Sequence, residues 1–259
     1  MTSTGTTATT QHRTNGRRLA WAVLAAAVLE VVAPVVTING PGSSPGSGSG
    51  PELLITPVGW AFSIWGVIYT LAIVQGVAAL VTRADVPRRL QVDLVVLYLG
   101  GALWIALAGL DSSAATAAAL LLMLVAAVDA VLTVGRASLA PRWFALLTRA
   151  SVGLYAGWVT AAFFLNASTA SVDAGFVDAA DVGWQLVVVV IAVATLMALV
   201  VGTRGNVAYA VAGTWALVGI AVTGRSDGTD EVLVAAVVAA VVLVAVLVLV
   251  RLSGGRRRA

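Results

Sequence analysis

The sequence predicts an all-α fold, a polytopic membrane helix bundle of eight transmembrane helices. Three observations predict it. Of 259 residues, 60% are hydrophobic and only 10% are charged, with a mean hydropathy of +0.99. A soluble domain carries roughly a quarter charged residues and needs them to cover its surface. The apolar residues also fall into runs near the ~20 residues that cross a hydrocarbon core as a helix. Finally, the arginines return to the same side of the membrane at every second connection.

In chain order the spans are expected near residues 19–38, 58–81, 92–110, 114–134, 144–165, 182–201, 205–222 and 232–250. The first follows a polar stretch, TSTGTTATTQHRTNGRR, in the manner of a signal peptide. It runs on through Glu30 and Pro34 without a convincing small-x-small cleavage site, and is read as a retained span. The second follows a connection that starts as NGPGSSPGSGSG, too rich in Gly, Ser and Pro for a regular element. The end of that connection, residues 52–57, is more apolar and is suited either to a lid across the helix ends or to a linker. Spans three and four, and six and seven, are joined by connections short enough to force antiparallel hairpins. A longer polar segment, 167–181, separates five helices from three. The seventh span carries Asn206, Gly213 and Gly219, and the eighth is almost pure Ala, Val and Leu. The domain reading is therefore a flexible cytoplasmic tail at 1–16, a five-helix domain at 17–170, a three-helix extension at 171–251 and a basic cytoplasmic tail at 252–259.

Charge supports the count. Cytoplasmic connections are enriched in arginine and lysine. There is no lysine, and with the N-terminus inside, fourteen of the fifteen arginines fall on or beside the inner face, leaving Arg225 outside. The outer connections carry Glu52, Asp111, Asp173, Asp178, Asp181, Asp227, Asp230 and Glu231. Both termini are thus expected in the cytoplasm, with the chain integral to the cell membrane. The arginines form no basic face interleaved with aromatics, so no nucleic-acid partner is expected. There is no cysteine, and the single histidine, His12, lies in the polar tail, so no metal site is expected. No nucleophile–base pair or phosphate loop is present, and no catalytic residue is assigned.

Polar and aromatic residues within the spans are the candidates for function. Glu30 lies midway along the first span and is expected to face the bundle interior, either serving a ligand or proton site or bonding a neighbouring helix. Asp129 is expected to pair with Arg136 or with an interhelical hydroxyl. Among eight tryptophans, Trp21, Trp143 and Trp184 sit near span ends as headgroup anchors. Trp60, Trp65, Trp104, Trp158 and Trp215 are less easily assigned to that role. Trp65 and Tyr69 are four apart, and Tyr155 and Trp158 three apart, each pair on one helical face. Indoles converging from several helices would make a slot for a planar ligand. Gly153 and Gly157 form a close-packing pair that also suits a homodimer contact.

The segment TPVGWAFSIWGVIY, residues 56–69, resembles the entry to the second helix of the tryptophan-rich sensory protein / translocator protein (peripheral benzodiazepine receptor) family. The residues that carry the likeness are Pro57, Gly59, Trp60, Phe62, Trp65 and Tyr69. YAGWVTAAFFLN, residues 155–166, resembles the fifth-helix motif through Tyr155, Trp158, Phe163, Leu165 and Asn166. LWIAL around Trp104 is similar to the third helix. The chain departs from the family in the spacing of Trp60 and Trp65, in Gly101 where an asparagine is usual, in Leu154 where a proline is usual, and in its three extra helices.

The resemblance implies a five-helix core and a planar hydrophobic ligand, a porphyrin or haem-like tetrapyrrole, held by a sensor or carrier. It implies a pocket of Trp60, Trp65, Tyr69, Trp104 and Trp158, with Asn166 tying helix ends together. No cofactor is required on this reading; the partners are the lipid bilayer and a hydrophobic small molecule. The alternatives are a small secondary transporter dependent on Glu30 or Asp129, and a structural membrane protein whose extra helices contact another subunit.

Overall fold

Eight α-helices make up the computed structural model, which describes residues 4–38, 52–110 and 112–256. They are α1 (Thr4–Ile38), α2 (Ile64–Thr82), α3 (Arg88–Ala108), α4 (Ser113–Arg136), α5 (Arg142–Asp173), α6 (Val182–Gly202), α7 (Val207–Ser226) and α8 (Asp230–Arg256), with a 3₁₀ turn at Gly59–Ser63 leading into α2. There is no strand among the described residues. Each helix is long and apolar enough to cross a membrane, with mean hydropathy from 1.3 for α5 to 3.4 for α8. The chain is an all-α, multi-pass integral membrane protein. In lipid the backbone must satisfy its own polar groups, and the helix does so within one segment.

The starts of α4, α6 and α7 are fixed by side chains that accept from otherwise unpaired N–H groups. Ser112 Oγ accepts from Ala115 N at 3.3 Å, Asp181 Oδ1 from Gly183 N at 2.8 Å and Asn206 Oδ1 from Tyr209 N at 3.2 Å. Asn206 therefore caps α7 rather than lying inside it, and Gly205 (φ +78°) makes the left-handed step before it. α1 begins at Thr4, so helix continues through much of the stretch read as a polar tail. The Gly/Ser-rich part of the first connection lies outside the described residues.

Residues 167–173, expected in a polar connection, are the last turns of α5. Their hydroxyls bond back to their own helix: Ser168 Oγ to Phe164 O (2.8 Å), Thr169 Oγ1 to Leu165 O (3.2 Å) and Ser171 Oγ to Ala167 O (2.8 Å). A polar sequence is thereby kept helical without an outside partner.

α1 packs on α2 and α3, α3 on α4, α4 on α5, and α2 on α5. The C-terminal helices join this body through α5, whose broadest contact outside the first four helices is with α7; α8 then braces both α7 and α6. The Gly153/Gly157 pair is used here, inside the chain. A methyl at Gly157 would overlap the backbone carbonyl of Tyr209 and lie 2.9 Å from Ala212 Cβ, and one at Gly153 would overlap the Asn206 amide. The close approach expected of this pair is the α5–α7 contact.

Candidate ligand-binding site

An aromatic cluster lies where α2, α3 and α5 meet. Trp65 is at its centre and only 6% exposed. It stacks on Tyr69 (centroids 5.4 Å apart) and on Trp104 (5.8 Å), and stands edge-to-face with Tyr155 (5.8 Å) and Trp158 (6.3 Å). Phe62, from the 3₁₀ turn, meets Trp158 edge-on at 5.7 Å. These separations and tilts are those aromatic pairs prefer. The i, i+4 spacing of Trp65 and Tyr69 supplies the first stack; the others are contacts between helices that no spacing encodes.

One side of the cluster faces a narrow cavity of about 60 Å³. Trp65, Trp104 and Trp158 line it. Asn166 lines it too, with its amide engaged: Oδ1 accepts from Trp104 Nε1 at 3.3 Å and Nδ2 donates to Ala162 O at 3.0 Å. Asn166 thus ties α5 to α3 and orients an indole of the wall. Trp158 is 2% exposed, and its Nε1–H has no hydrogen-bond partner among the described residues. A buried donor without an acceptor costs about 1–3 kcal/mol, so the Trp158 N–H is a buried polar group left unsatisfied in a residue of the cavity wall.

Two of the residues expected in the pocket stand elsewhere. Tyr69 lies behind Trp65, as its stacking partner. Trp60 is 45% exposed and packs edge-on against Trp215 of α7 at 4.9 Å. Sequence reasoning missed the opposite wall, made by Val188, Val189, Ala192, Val193 and Leu196 of α6 and by Gly213, Ala216, Leu217 and Ile220 of α7. These are small or aliphatic residues in helices built of little else, so nothing in their pattern marks them.

Ile55 and Pro57 close one end. Residues 52–58 do settle across the helix ends, with Leu53 and Ile55 buried, and they are fastened to the C-terminal helices. Ile55 N donates to Gln185 Oε1 (3.3 Å), Val58 N to Gly219 O (3.2 Å) and Trp215 Nε1 to Ala61 O (2.7 Å).

Glu30 does not line the cavity. It is fully buried and accepts through Oε1 from the Tyr155 hydroxyl, while Oε2 has no partner among the described residues. A methyl at Gly101 would overlap both the Glu30 carboxyl and the Tyr155 hydroxyl. The position where an asparagine was expected is thus left empty by α3, and α1 fills the space with a carboxyl. Glu30→Gln keeps an acceptor for Tyr155 and is expected to leave thermal stability in detergent nearly unchanged. Glu30→Leu strands a buried hydroxyl and is expected to cost about 1–3 kcal/mol.

Asp129 pairs with Arg89 of α3, not with Arg136. Both carboxylate oxygens are engaged, by Nε and Nη2 of the guanidinium, and the Arg89 side chain is 71% exposed. Arg89 reaches Asp129 because α3 and α4 are direct neighbours, whereas Arg136 is two turns away along α4 itself. Trp21, near the start of the apolar span of α1, and Trp143, in the first turn of α5, are exposed, and Trp184 donates to Asp178 O at 2.8 Å.

The fold and cavity define a polytopic membrane protein with an aromatic-walled site inside the helical bundle. The family model described as TSPO-like protein matches residues 18–249, and the chain belongs to that family. The match continues through α6 and α7 into α8, so the C-terminal helices lie within what the family model describes. No curated protein and no solved structure matches the chain.

Proposed function

We propose that this protein binds a flat, apolar molecule of the porphyrin or tetrapyrrole kind between the indole wall of α2, α3 and α5 and the aliphatic wall of α6 and α7, acting as a membrane sensor or carrier. The observation that carries this reading is the convergence of Trp65, Trp104 and Trp158 on one cavity with the Trp158 N–H unpartnered. Indole faces give a planar ligand broad contact, and one buried donor fixes its orientation. Membership of the TSPO-like family supports the same reading.

Among the described residues, no charged one lines this cavity. The ring system, not an ionised substituent, is therefore what the walls recognise, since a carboxylate taken into the cavity would lack a cation. The test is titration of the purified protein with protoporphyrin IX and with its neutral dimethyl ester, following tryptophan fluorescence and the porphyrin absorbance band. The ester is expected to saturate a single site. Trp158→Phe, which removes the donor but keeps a ring, is expected to weaken binding about 5- to 10-fold, the value of one hydrogen bond. Saturable binding that neither Trp158→Phe nor Trp65→Phe alters would remove the site from consideration.

A further inference from the structure

We propose that the cavity is filled sideways from the bilayer, through the seam between α5 and α6, and that Gln185 is the positioning residue that keeps its lid end shut to water. The occupants are then molecules already dissolved in lipid. This rests on the binding reading only in naming an occupant.

Burial around the cavity is uneven. At the lid end Ile55 is 4% exposed and Leu217 is 4% exposed; at the far end Trp158 and Leu196 are each 2% exposed. Both ends are therefore closed by packed side chains. Along the flank the pattern changes. Every residue of α5 from 151 to 160 is buried, whereas every residue from 161 to 167 is half-buried. Facing that stretch, Val188 and Ala192 of α6 line the cavity and are also half-buried. The partly uncovered side of the cavity is its flank, at the membrane-spanning level of both helices.

α6 is also the wall best able to move. It packs most broadly on α8 and only lightly on α5 and α7. A cavity of about 60 Å³ is well below the ~300–1,000 Å³ of pockets for drug-sized ligands. A ring system therefore enters only as a wall gives way. Packing between helices in lipid is not held by the hydrophobic effect, because lipid tails replace the lost contact. Parting α5 from α6 thus costs little more than their dispersion contacts.

The lid end is held differently. Gln185 is fully buried near the start of α6. Its Oε1 accepts from Ile55 N at 3.3 Å, and its Nε2 donates to Ala179 O at 2.7 Å and Asp181 O at 3.1 Å. One side chain joins the lid, the α5–α6 connection and the first turn of α6, so the lid end stays fixed while the flank is free to part.

The native chain has no cysteine, so a nitroxide attached at a single introduced cysteine reports one position. The experiment labels Ala192→Cys in phosphatidylcholine vesicles and compares relaxation by oxygen, which concentrates in lipid, with relaxation by a water-soluble nickel chelate. Val190→Cys, on the lipid face of α6, and Phe176→Cys, in the exposed connection, are the references. At position 192 the nickel response is expected to be about 10-fold or more below that at 176, with an oxygen response like that at 190. Adding Gln185→Leu is expected to raise the nickel response at 192 several-fold. A nickel response at 192 equal to that at 176, or access by neither reagent, would overturn lateral filling. No change on Gln185→Leu would overturn the latch. If the label at 192 prevents folding, Ala162→Cys on the α5 side of the seam gives the same readout. No ligand is present in this experiment, so its failure is separate from a failure to bind porphyrin.

Discussion

Trp65→Ala is expected to lower the stability of the bundle by about 3 kcal/mol, near the lower end of the usual range for removing a buried tryptophan. The lower end applies because the alternative to a lost helix contact here is lipid, not water. Trp65 touches Tyr69, Trp104, Tyr155 and Trp158, so truncation leaves a void bordered by four rings that cannot all close on it. Ligand binding should be lost in the same variant, and Trp65→Phe, which keeps a ring, should recover most of the stability. Loss of monodisperse protein on heating in detergent measures both. A variant as heat-resistant as the native protein would mean that the rings around Trp65 pack well without it.

Gly157→Val is expected to be at least as damaging, about 3 kcal/mol, the upper part of the range for overpacking. The added side chain would meet the carbonyl of Tyr209, which belongs to the α7 backbone and cannot rotate away. The two helices must then separate, and with them the wall that α7 gives the cavity. Gly66→Ala is the control, because nothing lies within 4 Å of its added methyl. Equal heat resistance of the two variants would show that the α5–α7 contact does not hold the C-terminal helices in place.

The fold was readable because lipid imposes a simple rule, a long apolar helix with arginines gathered at one of its ends. All eight helices answer to it. Helix ends were less readable. The serines and threonines of residues 167–173 look like a connection until their hydroxyls are seen to bond their own helix. The indole wall was readable in part, since Trp65, Trp104 and Trp158 are conspicuous residues in motifs that resemble a family. Trp60 sits in the same motif yet turns to Trp215, because the chain enters α2 through a 3₁₀ turn that points it away from the cavity. The opposing wall was not readable at all, because valine, alanine and leucine on α6 and α7 carry no sign of which face is inward. Asp129 was misassigned because its partner is 40 residues away on α3, and a sequence shows only the nearer arginine.

α5 has a consequence for the membranes this protein suits. At 32 residues it is about 48 Å long, against a hydrocarbon thickness of about 30 Å. Between Arg149 and Asp173 it carries no charge, and the last part of that stretch is lined with serine and threonine whose hydroxyls are already satisfied by the helix. A thicker bilayer can rise along these turns without submerging an ion or breaking a hydrogen bond, and a thinner one can fall back and leave them wet. α5 therefore acts as a sliding scale against bilayer thickness, so that hydrophobic mismatch, which strains a span bounded sharply by charges, is taken up here by a few turns tolerant of either solvent.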